Sequence, residues 1–68
     1  MLKIKRTGLQ SEYKVVGHNW DEANGGIYIR KSFEDGLWYD SYTGVFYETL
    51  SSAKAEVFTA LEFDGLAD

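Results

Sequence analysis

Sixty-eight residues with no cysteine and a single histidine make one domain near the lower size limit, exclude disulfides and thiolate zinc sites, and argue against a dedicated zinc centre. The formal charge of −4 is sorted along the chain: residues 1–31 hold six bases and three acids, residues 32–68 one base and eight acids. No apolar run reaches signal-peptide or membrane-span length, so the chain reads as soluble and cytoplasmic, with no membrane partner.

Glycines punctuate short alternating runs, which is the signature of strands. Leu2–Thr7 sets Leu2 and Ile4 against Lys3 and Lys5, and Gly8-Leu9-Gln10-Ser11 reads as a hairpin turn. Glu12–Asn19 puts Tyr13 and Val15 on one face and Lys14, Val16 and His18 on the other. Trp20–Gly26 is the longest irregular stretch, and its Asn24-Gly25-Gly26 end supplies positive-φ positions. Ile27–Phe33 alternates Ile27 and Ile29 with Tyr28 and Arg30. Asp35-Gly36 is a tight-hairpin dipeptide, Leu37–Tyr42 a strand, and Thr43-Gly44 turns the chain into Val45–Glu48.

At Leu50 the period changes. Thr49 is placed to cap a helix in which Leu50, Ala53, Val57 and Leu61 form one stripe, and Gly65 is placed to stop it. The expected fold over residues 1–68 is α+β: a mostly antiparallel four- to five-stranded sheet with one C-terminal helix packed on one face. The expected core is Leu2, Ile4, Val15, Ile27, Ile29, Trp38, Phe46, Leu50, Ala53, Val57 and Leu61. One helix covers a single face of such a sheet and leaves the other open.

Catalysis finds little support. The run His18-Asn19-Trp20-Asp21-Glu22 offers an imidazole, carboxylates and Asn24 nearby, but it lacks the ligand alternation and closing glutamate of a calcium loop. No serine or cysteine nucleophile sits in a recognisable elbow. A non-enzymatic binding protein without cofactor or metal is the expectation.

Two surfaces compete for the binding role. Glu62 and Asp64 fall at the end of the helix, where its dipole favours bases, and Glu56 lies on the outer helix face. With Asp35, Asp40 and Glu48 they form a candidate contact set for the lysines and arginines of a host protein or complex, with Tyr39, Tyr47 or Trp20 as aromatic anchors. The alternative is a single-stranded nucleic-acid-binding face built from Lys3, Lys5, Tyr28 and Arg30, joined by Tyr39 or Trp38 and by Tyr47 or Phe46. The net negative charge weighs against that alternative. A third reading is a homodimer through edge strands or uncovered sheet faces.

The stretch Leu37–Leu61, LWYDSYTGVFYETLSSAKAEVFTAL, resembles a recurrent ending of small phage and prophage proteins. There an aromatic hairpin runs through a Gly turn into a helix opening Thr-Leu-Xaa-Xaa-Ala-Lys, here Thr49-Leu50-Ser51-Ser52-Ala53-Lys54. In size, lack of cysteine and acidic half, the chain also looks like anti-CRISPR-type host-defence inhibitors. That resemblance implies blockade of a basic, nucleic-acid-binding or effector surface by the acidic face. These inhibitors share no motif, so the resemblance assigns no residue a role.

Overall fold

Alternating runs become five short strands, and the 3.6-residue stripe becomes one helix. The computed structural model describes residues 1–20 and 25–67. The elements are β1 (Lys3–Arg6), β2 (Glu12–Val16), β3 (Tyr28–Lys31), β4 (Trp38–Asp40), β5 (Phe46–Tyr47) and α1 (Leu50–Phe63). All four pairings are antiparallel, and spatial order follows chain order, β1-β2-β3-β4-β5. The α+β fold is thus a plain meander with α1 packed across β3, β4 and β5. A meander does not interleave its halves, so the sorting of charge along the sequence survives into space.

Both ends of α1 are built from the residues that the sequence marks. Thr49 has extended backbone (φ −132°), and its hydroxyl accepts from the Ser52 amide at 3.1 Å. At the far end Gly65 takes φ +72°, a conformation costly for any residue with a Cβ. The Gly65 amide then reaches the Glu62 carbonyl, and the Leu66 amide reaches that of Leu61. This closure turns the tail back onto the sheet. Asn19 donates to the Leu66 carbonyl at 2.7 Å, and His18 forms a bridge with Ala67.

The buried core is Val15, Ile27, Ile29, Ala53, Val57 and Leu61, ringed by Leu2, Ile4, Trp20, Trp38, Tyr42, Tyr47, Leu50, Phe58 and Leu66. Burying each large aliphatic side chain contributes roughly 1.5–3 kcal/mol. The core of a domain this small rarely supplies more than about 3–5 kcal/mol net, so a truncation such as Leu61→Ala, at about 2–5 kcal/mol, should remove most of it. Phe46, expected in this core, lies on the opposite face and is 53 % exposed. The reason is register. Trp38 pairs with Tyr47 and Tyr39 with Phe46, so Tyr47 shares the inward face of Trp38.

Candidate functional site

Strand register decides which side chains share a face, because directly paired residues project to the same side. Ile29 pairs with Tyr13 and with Asp40, which puts Tyr13, Ile29 and Asp40 on the side packed by α1. Their neighbours fall on the uncovered side. One row across the sheet there reads Phe46, Tyr39, Arg30, Glu12, and the next reads Tyr28, Lys14, Lys5. Lys3 follows, opposite Val16. Aromatic rings thus occupy the β3–β5 half of the open face and lysines the β1–β2 half. Among the described residues, the strands place four bases and one acid on it.

That acid is tied down. Glu12 is 6 % exposed, accepts from the Thr7 hydroxyl at 2.7 Å, and forms an ion pair with the Arg30 guanidinium. The Thr7 hydroxyl first, and then Arg30, hold its carboxyl below its ordinary value of 4.5. Arg30 also lies over the Tyr28 ring, 5.1 Å from its centroid. The Tyr39 and Phe46 rings are 5.2 Å apart and tilted at 45°. Arg30, Ser32, Tyr39 and Phe46 border a shallow recess of about 240 Å³. The result is a π-surface flanked by positive charge on a face that no element among the described residues covers.

The acids lie elsewhere. Glu48, Glu56, Glu62 and Asp64 are exposed on α1 or at its ends. Asp64 accepts a hydrogen bond from the Tyr42 hydroxyl, which pushes the Tyr42 pKa up to about 12. The molecule is 19 Å across at its narrowest. At physiological salt the Debye length is about 8 Å, so exposed charges farther away than that are largely screened. A ligand on the open sheet meets chiefly the charges of that face rather than the net −4.

The acidic contact set expected from sequence does not form one surface. Asp40 is fully buried: its carboxylate accepts from the Thr43 amide and, at 2.6 Å, from the Thr43 hydroxyl, which shapes the β4–β5 turn. Tyr47 points inward, with its hydroxyl 3.4 Å from that of Thr43, and burial foremost raises its pKa. Trp20 packs against the core and edge-on to Tyr42, 5.2 Å between centroids. Asp35 caps the β3–β4 hairpin by accepting from the Leu37 amide at 3.0 Å. Tyr39 lies on the opposite side of the sheet from the helix acids. Of the rest, Glu56 and Asp64 line one recess beside α1, whereas Glu62 borders another with Met1, Leu2 and Phe58, and Glu48 precedes the helix.

His18 serves as a local clamp: its Nε2 donates to the Val15 carbonyl at 2.8 Å, and its Nδ1 accepts from the Trp20 amide at 3.1 Å. Asp21, Glu22 and Asn24, the other members of that sequence cluster, lie outside the described residues. Among the described residues no group of three histidine or acidic side chains is arranged to hold a metal ion. No helix among them is long and apolar enough to cross a membrane.

Lys14 belongs to the open face beyond the residues expected there, and its alternation with Tyr13 and Val15 makes it legible. The choice between Phe46 and Tyr47 falls to Phe46, and a two-residue strand has no period from which to read it. No family model matches the chain, and no curated protein or solved structure matches it either.

Proposed function

We propose that this protein is a non-enzymatic binding module whose uncovered sheet face takes single-stranded nucleic acid. The observation that carries this reading is the register that sets Tyr28, Tyr39 and Phe46 beside Lys3, Lys5, Lys14 and Arg30 on the side away from α1. Unstacked bases lie on the aromatic half, and the backbone phosphates run toward the lysines. Recognition of this kind tolerates sequence, because every base has a π-face.

The test is fluorescence anisotropy of labelled oligo-dT and oligo-U over a salt series. With Lys3 and Lys5 contacting phosphates, the log–log salt slope is about −1.4. Tyr39→Ala and Phe46→Ala each weaken binding by about 5- to 150-fold, the cost of one lost stack. The double variant Lys3→Glu, Lys5→Glu flattens the salt slope. Absence of binding at low salt, or binding indifferent to Tyr39 and Phe46, rules the reading out.

The exposed acids Glu48, Glu56, Glu62 and Asp64, on α1 or at its ends, favour a second reading: blockade of a basic surface on a host protein, in the manner of anti-CRISPR-type inhibitors. It requires a protein partner that survives nuclease treatment in a pull-down and is released by salt. Charge reversal at Glu48 and Glu62 must abolish that capture.

A further inference from the structure

α1 and β5 do not close fully against each other. Between them runs a groove of about 590 Å³, floored by Tyr47 and Ala60 and opened at the surface by Val45 and Phe63. Phe63, on the last turn of α1, is 90 % exposed, and Val45 is 48 % exposed. Glu56 and Asp64 stand at its rim. The last helical turn has no basic residue, so the partial negative charge of the helix terminus adds to that of Asp64. Lys54, the one base on α1, lies over the Phe58 ring at 5.6 Å and does not line the groove. β5 is also an edge strand, with only β4 beside it.

We infer that this groove docks a basic segment of a protein partner, one that inserts an apolar side chain between Val45 and Phe63 and sets lysine or arginine against Glu56 and Asp64. Charge selects the occupant. The rim repels nucleic acid, and the apolar mouth asks for more than a counter-ion. The inference rests on the second reading above and adds to it a place and an anchor. It is independent of the sheet face, which lies on the other side of the molecule.

The probe is a labelled Gly/Ser peptide carrying one leucine flanked by two lysines on each side, with two controls: leucine replaced by serine, and the lysines replaced by glutamate. Anisotropy titration at low salt should show saturable binding that both controls lose. Phe63→Ser should weaken it about tenfold or more, the loss of a buried aromatic contact. Glu56→Lys should weaken it and remove its salt dependence. Circular dichroism confirms that each variant remains folded. If the peptide does not bind, or binds equally to Phe63→Ser, the groove is not the site. Charge reversal at Glu48 and Glu62 separately decides the broader acidic-surface reading. If light scattering shows a dimer that Phe63→Ser dissociates, the groove is filled by a second copy and the inference falls.

Discussion

The Tyr42 hydroxyl donates to the Asp64 carboxylate, fastening the turn that follows β4 to the residue that caps α1. Ionising Tyr42 would set two anions side by side, and its pKa is accordingly raised from 10 to about 12. Because the folded value is the higher one, this support is complete below pH 10 and is lost as pH rises through about 12. Urea unfolding over that range should show stability falling with pH, and Tyr42→Phe should flatten most of the fall. The part that remains belongs to Tyr47, raised chiefly by burial.

Glu12 predicts the opposite limb. Its pKa is lowered, so its contribution is present above 4.5 and is lost as pH falls through the folded value. The Thr7 hydroxyl is the larger cause and Arg30 the next. Thr7→Val and Arg30→Gln should therefore each move the Glu12 titration, followed by NMR of its carboxyl carbon, toward 4.5. Equal pKa values in wild type and Thr7→Val would disprove the assignment.

Asp40 is an acid in the core whose partners are the Thr43 amide and hydroxyl. Asp40→Ala removes the acceptor of both turn hydrogen bonds, each made to a charged group, and should cost about 1–3 kcal/mol. In a domain of this size each kcal/mol lowers the melting temperature by about 4–8 °C. Asp40→Asn retains an acceptor for the amide and should lose less. Equal melting temperatures for the two variants would contradict this account of the turn.

Gly17 and Gly8 both have positive φ, +86° and +97°. A Cβ on Gly17 would lie 2.0 Å from the Met1 carbonyl oxygen, whereas one on Gly8 would meet nothing within 4 Å. Gly8→Ala should therefore show the left-handed penalty alone, about 1–2 kcal/mol. Gly17→Ala should lose clearly more, because backbone must move. Chemical denaturation of the two variants side by side checks the ordering.

The order of elements, the cap at Thr49, the stop at Gly65 and the helix stripe Ala53, Val57, Leu61 were all legible in the sequence, because each follows from local chemistry that tertiary contacts did not override. Asp40 and Phe46 were not. A charged residue is assigned to the surface by default, and the spacing of Asp40 from Thr43, an Asx-turn signal just before Gly44, was the available hint. For Phe46 and Tyr47 no local signal existed. Pairing with Tyr39 and Trp38 decides which ring turns inward. The candidate site was half visible for the same reason. Alternation grouped Lys3 with Lys5 and Tyr28 with Arg30, but only the register across strands shows that one continuous face carries them all.

A body with a basic sheet on one side and an acidic helix on the other is complementary to its own copies. A contact between such unlike faces would not close into a pair; it would repeat, copy upon copy, as an open stack. Such a stack would grow when ionic strength is low and dissolve as counter-ions return. Desalting should make solutions of this protein turbid, and modest salt should clear them. An oligonucleotide that occupies the sheet should clear them too, by removing one half of the match.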